Sequence, residues 1–222
     1  MPDIAVVLPG GCGGVMSVAG FTAFLVDDDA GVLKALTRLV RTAGYDAKPF
    51  SSSQDFLAAH DPSVPGCAVL DVAMPGLDGL QLQDRLLDDG IARPIIFLTG
   101  NGDIPMSVRA MKAGAVDFLT KPIKRDQLLF AIERAAKLDE ASRRERNDRE
   151  LVDAKLSRLT PREREVLLHV VAGRLNKQIA ADLGTVEKTI KVHRGRVMAK
   201  LEVRTVADLV RMAERAGLQR SL

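Results

Sequence analysis

Cysteine is almost missing from this chain: Cys12 and Cys67 are the two in 222 residues. That is too few for a disulfide framework, and the pair lacks the spacing of metal ligands. Both are expected as free thiols in a reducing cytoplasm. Long apolar runs are absent as well; nothing approaches the roughly 20 apolar residues that a membrane span needs, so no membrane partner is expected. The opening MPDIAVVLPGGCGG has a short apolar run with no Lys or Arg before it, which does not make a signal-peptide core. Residues 1–18 are expected to be a disordered lead-in, unless translation starts at Met16 and the stretch is foreign to the native protein.

What the chain does contain fits two ordinary domains, with 46% apolar and 27% charged residues. Its net charge of +3 conceals a division: residues 1–140 carry 13 Lys+Arg against 18 Asp+Glu, and residues 141–222 carry 19 against 11. An excess of cations confined to the C-terminal part suits a polyanion binder.

Short apolar runs alternate with amphipathic stretches over the first 125 or so residues. FTAFLV (21–26), the segment 47–50, CAVL (67–70), PIIFLT (94–99) and VDFL (116–119) predict strands. Between the first two, Val32, Leu33, Leu36, Leu39, Val40 and Ala43 keep helical spacing, and Gly44 supplies a left-handed stop. Further helices are expected near 53–60, 80–88 and 104–113, the last closed by Gly114. Strands that are nearly continuous in apolar residues and alternate with helices imply an α/β fold, a doubly wound five-stranded parallel sheet covered on both faces. Ligand chemistry then belongs at the carboxyl ends of the strands.

Those ends are chemically distinctive. The first strand ends in Asp27, Asp28 and Asp29, the third in Asp71 and the fourth in Thr99, and the fifth is followed by Lys121-Pro122. Three carboxylates brought together repel unless a hard cation joins them, and Mg2+ accepts one or two carboxylates plus water and phosphate oxygens. One carboxylate can then act as nucleophile toward a phosphoryl group while a Lys offsets the charge that develops. Asp29 reads better as a helix cap.

From Asp126 the pattern is helical as far as Pro161, with a mixed-charge stretch at 139–153. It reads as a helical linker, either a solvated single helix or a dimeric coil. Thr160-Pro161-Arg162-Glu163 is a capping box opening a helix to about Ala172, stopped by Gly173. Asn176 is the expected cap of a second helix, 177–183; a third runs from about Val186 to Leu201 and a fourth from Thr205. Short helices joined at Gly turns predict a helix-turn-helix. In the third helix, Val186, Ile190, Val197 and Leu201 mark the buried side. The opposite face carries Lys188, Lys191, Val192 and Gly195, flanked by Arg194, Arg196 and Lys200, a pattern able to enter the major groove of duplex DNA. His169 and His193 read as packing or phosphate-contacting residues, since no partner has zinc spacing.

The strings LVDDD, VLDVAMPGLDG and FLTGNGDIPMSVRAMKAGAVDFLTKP resemble the receiver domains of the FixJ subgroup of two-component response regulators, over residues 21–137. The resemblance implies a receiver of the CheY/flavodoxin-like fold at 19–137. It makes Asp71 the phosphoacceptor, with Mg2+ held by Asp28, Asp71 and the Ala73 carbonyl and supported by Asp27 through water. It gives Lys121 the phosphoryl contact, Pro122 a preceding cis bond, and Thr99 and Phe118 the roles of a switch pair. Phe118 stands where many receivers have Tyr. Ala73 stands where haloacid-dehalogenase-type phosphatases, which also use an aspartyl nucleophile, place a second Asp as general acid. Without that proton donor rapid turnover is not expected, which favours a stored signal over an enzyme.

LTPREREVLLHVVAGRLNKQIAADLGTVEKTIKVHRGRVMAKLEVRTVADLV resembles the LuxR/NarL-type DNA-binding domain. It implies an all-α helix-turn-helix domain at 157–222 behind a linker at 138–156. DNA contacts fall on Lys188, Lys191, Val192 and their neighbours Arg194, Arg196 and Lys200. The implied partners are a sensor histidine kinase, double-stranded DNA and RNA polymerase, with a homodimer formed on phosphorylation through the surface from Ile104 to Phe118. Two departures stand out: Thr185-Val186 replaces a frequent Ile-Ser, leaving Thr185 as the candidate cap, and Gly195 replaces a larger residue. A regulator independent of phosphorylation is the alternative, and a phosphatase a more distant one.

Overall fold

The computed structural model describes residues 20–100 and 104–218. The expected lead-in at 1–18 and Cys12 lie outside the described residues. The chain divides into two compact units, with the boundary between Ser142 and Arg143.

The first unit alternates strand and helix: β1 (Thr22–Val26), α1 (Ala30–Thr42), β2 (Asp46–Phe50), α2 (Ser53–Ala59), β3 (Gly66–Asp71), α3 (Gly79–Asp88), β4 (Ile95–Thr99), α4 (Ile104–Lys112), β5 (Asp117–Thr120) and the start of α5 (Arg125–Leu156). The sheet order is β2-β1-β3-β4-β5 and every pairing is parallel. The alternation of side chains along each strand sorts the core into two layers. Ala23, Leu25, Cys67, Val69, Ile96 and Leu98 face α1 and α5; Phe24, Val26, Ala68, Leu70, Ile95 and Phe97 face α2, α3 and α4. β1, β3 and β4 are therefore apolar on both sides and wholly buried, whereas β2 and β5, at the edges, are partly open. Pro49 is tolerated in β2 because that strand has a free edge.

The helices begin and end as their termini dictate. Asp29 caps α1 by accepting from the amides of Gly31 at 2.7 Å and Val32 at 3.2 Å, and Gly44 leaves it at a φ of 87°. At the opposite end of the sheet from the acidic residues, buried Arg93 donates to the carbonyls of Val64 (2.8 Å), Gly66 (3.0 Å) and Asp61 (2.9 Å) and to His60 Nε2 (3.0 Å). Cys67 is a free thiol, and burial pushes it up to about 12.

The second unit packs the end of α5 with α6 (Pro161–Val171), α7 (Asn176–Asp182), α8 (Glu187–Lys200) and α9 (Val206–Arg215). Its core joins Val152 and Leu156 of α5 to Val166, Leu167, Val170, Ile179, Ile190, Val197, Leu201 and Leu209. Thr160 and Glu163 form the expected capping box, and Thr205 with Asp208 forms another on α9.

Three local expectations need correction. Asn176 is the first residue of α7 and not its cap; the N-cap is Leu175, whose amide is satisfied by Gln178 reaching back at 2.8 Å. Val186, not Thr185, is the N-cap of α8, with no side-chain bond. Val186 is also not in the core: it is 65% exposed, because its extended backbone places it outside the helix whose periodicity had been continued through it.

Candidate functional site

The parallel sheet carries β1 and β3 side by side, in register from Thr22 against Gly66 to Val26 against Leu70. The next residues, Asp27 and Asp71, therefore emerge together. Asp28 joins them, so that one carboxylate oxygen from each of the three lies within 4.8 Å of the others. Asp27 is 1% and Asp71 5% exposed, while Asp28 faces solvent. The Asp27 carboxylate accepts from the Asp29 amide at 2.9 Å. On the far side of Asp71, the amide of Gly79 donates to the Val72 carbonyl at 3.1 Å. A Cβ at Gly79 would lie 2.4 Å from the Asp71 carbonyl, so only glycine lets α3 start this close.

Lys121 arrives from the other side. Its backbone amide donates to the Thr99 carbonyl at 2.7 Å, and its peptide bond to Pro122 is cis, as expected. The ammonium reaches Asp27 Oδ2 at 2.7 Å and Asp71 Oδ1 at 3.0 Å. Burial pushes the Asp71 carboxyl above its ordinary range, and Asp27 and Asp28 push the same way against the Lys121 ammonium. For Lys121 burial acts to lower the pKa, but its bonds to Asp27 and Asp71 prevail and hold the ammonium above the usual Lys value. One cation thus faces three carboxylates, and the excess of negative charge is local and fixed. Three hard oxygen donors this close suit a small divalent cation such as Mg2+.

Thr99 ends β4 and is buried. Phe118 sits on β5 beside Phe97, ring centroids 6.0 Å apart. Ala73 lies exposed in the segment between β3 and α3.

In the second unit Lys188, Lys191, Val192 and Arg196 are exposed on α8, while Ile190 and Val197 are buried. The two other expected DNA-contacting cations are engaged inside the unit. Arg194 donates to Asn176 Oδ1 at 2.6 Å, tying α8 to the first residue of α7. Lys200 donates to Glu163 Oε2 at 2.6 Å and to the Arg158 carbonyl at 3.1 Å. Lys200, with the Thr160 amide, holds the Glu163 carboxyl down at about 2. Lys200 thus forms an internal ion pair, because α8 turns it toward the buried start of α6. Sequence reasoning identified Glu163 as a cap but had no signal for its second partner 37 residues away.

Two family profiles match the chain: the response regulator receiver domain over residues 23–133, and the luxR family of bacterial regulatory proteins over residues 157–213. Among full-length relatives, Nodulation protein W of Bradyrhizobium diazoefficiens is 46% identical over 199 residues, covering 88% of this chain and 86% of that protein. Transcriptional regulatory protein FixJ of Rhizobium meliloti is 42% identical over 197 residues, covering 89% and 97%. Of solved structures, response regulator StyR aligns with a TM-score of 0.79 at 45% identity, over 89% of this chain and all of that one. Full-length FixJ from B. japonicum aligns at 0.53 and 40% identity, over 89% and 98%.

Proposed function

The chain belongs to the two-component response regulators that join a receiver domain to a LuxR-type DNA-binding domain, and on that premise we propose that Asp71 is the residue a sensor histidine kinase phosphorylates. The observation that carries this is the placement of the Lys121 ammonium, 2.7 Å from Asp27 and 3.0 Å from Asp71. Attack by an Asp71 carboxylate oxygen forms the new O–P bond while the bond from phosphorus to the kinase imidazole breaks, its electron pair returning to the ring. Lys121 offsets charge on the transferring oxygens, and the Thr99 hydroxyl bonds the phosphoryl group afterwards. Asp28, Asp71 and the Ala73 carbonyl would hold Mg2+, with Asp27 supporting through water. When bound, the ion would supply neutralisation of the negative charge in the site during phosphoryl transfer.

Phosphorylation then biases two arrangements of Thr99 and Phe118, and with them the surface from α4 to β5. Dimerisation through that surface presents two copies of α8 to half-sites about one turn of DNA apart. The output is control of transcription, with recruitment of RNA polymerase and activation as its form, in the cytoplasm. Among the described residues no helix is long and apolar enough to cross a membrane. Domain limits of 19–137, 138–156 and 157–222 go with this reading, although the last turns of α5 pack into the second core.

The test is labelling with a small acyl phosphate and Mg2+, followed by mass spectrometry. A stable adduct of one phosphate per chain on Asp71, lost in Asp71→Asn together with regulated promoter output, supports the reading. Unchanged promoter binding and output in Asp71→Asn would establish the phosphorylation-independent alternative, and sustained multiple turnover would establish a phosphatase.

A further inference from the structure

Gly195 lies in the middle of α8 on its exposed side. A Cβ at this position would meet no atom within 4 Å, and its φ is not left-handed. Nothing inside the unit therefore requires glycine here, although glycine destabilises a helix interior relative to alanine. A reason for its small size is therefore to be sought in a surface that α8 meets from outside the unit.

The surroundings indicate what that outside surface is. At 3.6 residues per turn, Val192, Gly195 and Ala199 follow one another along the side of α8 that faces away from Ile190 and Val197. Val192 is 48% exposed, and Gly195 and Ala199 are open to solvent. Lys188 heads this strip, and Lys191 and Arg196 border it, each about 70° around the helix from its centre. None of these three cations has an ion-pair partner among the described residues. A smooth, slightly apolar track headed by Lys188 and bordered by one unpaired cation on each side suits a major groove, with phosphates on both walls and base edges, including thymine methyl groups, on the floor.

We propose that Gly195 sets the depth to which α8 enters the groove, so that Val192 contacts a thymine methyl at the preferred site. The proposal rests on α8 being the DNA-reading helix. Gly195 is thus a specificity-determining residue, and its missing side chain is the feature that matters.

Selection from a random duplex library with the full chain, treated with Mg2+ and acetyl phosphate, supplies a preferred duplex. Affinity is read by fluorescence anisotropy and melting by circular dichroism. Gly195→Ala is expected to melt above the wild type yet bind the preferred duplex about tenfold more weakly, with its affinity for a scrambled duplex unchanged. Replacing one thymine by uracil, which removes only the methyl group, is expected to weaken the wild type by a similar factor, and Val192→Ala should be indifferent to that replacement. Wild-type affinity in Gly195→Ala overturns the proposal, as does indifference of the wild type to uracil at every thymine. Lys191→Ala separates the two levels: if it loses affinity while Gly195→Ala does not, only this inference falls, and if neither loses affinity, α8 is not the reading helix.

Discussion

The pocket at the strand ends and the exposed face of α8 are both proposed to meet phosphate, yet they are built in opposite ways. In the pocket, strand register brings Asp27 and Asp71 together, the Lys121 ammonium lies within 3.0 Å of both, and the group is largely kept from water. On α8, Lys188, Lys191 and Arg196 stand in solvent with no ion-pair partner among the described residues. A buried constellation responds to a single added charge by rearranging, because water cannot screen the change. An exposed row of cations responds gradually, through counterion release when a polyanion arrives. The first arrangement suits a switch and the second a reader.

The capping of the second unit repeats the contrast on a smaller scale. α6 and α9, which form its scaffold, each start with a complete capping box. α7 and α8 start at Leu175 and Val186, neither of which offers a side-chain acceptor, and these residues are 69% and 65% exposed.

The largest effect that would sharpen the comparison is in the pocket. Lys121→Met leaves two buried carboxylates without their cation, and removing one partner of a buried pair costs roughly 3–5 kcal/mol, here toward the lower end since Lys121 keeps some solvent contact. Denaturant unfolding of the first unit in the presence of a chelator should show this, and adding Mg2+ should recover part of it. Recovery no greater than in the wild type would argue against a cation site there.

On the reader, Lys191→Ala should lose about 1–3 kcal/mol of binding to its preferred duplex if it contacts a base. If it meets only phosphate, the loss should be equal on all sequences and the salt slope should fall by about one. Either result leaves labelling of Asp71 unaltered; a coupled loss would break the division of labour between the two regions.

Val186→Ser supplies the missing acceptor at the start of α8 and should stabilise the second unit by about 1 kcal/mol, read as slower hydrogen exchange along α8. The same change at an already capped helix should do nothing.

The weakest effect is a difference in acid sensitivity. Burial first, and Arg93 second, lower the His60 pKa from 6.5 to about 4. The unfolded chain therefore binds the proton more readily, and the stability due to neutral His60 is complete above pH 6.5 and lost as pH falls toward 4. Glu163, depressed from 4.5 to about 2 by Lys200 and the Thr160 amide, contributes stability above pH 4.5 that is lost only as pH falls toward 2. Between pH 6.5 and 4.5 the first unit should lose stability in wild type but less in His60→Gln, with the Glu163 contribution to the second unit unaffected. Equal losses in wild type and His60→Gln would refute the assignment.

Much of this was legible in the chain itself. The strands of the first unit agree within a residue or two of expectation, because continuous apolar runs on a buried sheet admit few alternatives. The convergence of Asp27, Asp28, Asp71 and Lys121 followed from one rule about carboxyl ends of parallel strands. Val186 was misjudged because helical periodicity was extended one residue past the true start of α8. The internal partners of Arg194 and Lys200 were not legible, because a flanking cation on a helix looks the same in sequence whether it points to solvent or to a neighbouring helix.

The sequence by itself determined the order of elements, the acidic pocket and the cationic bias of the second unit, since these depend on periodicity, turn chemistry and counts of charge. The tertiary structure decided which charges are free. Lys121 was assigned two carboxylate partners, Lys200 was drawn to Glu163 and Arg194 to Asn176, and Lys188, Lys191 and Arg196 were left in solvent. Pairing of this kind joins residues 18 to 94 positions apart, and only packing of distant elements sets those distances.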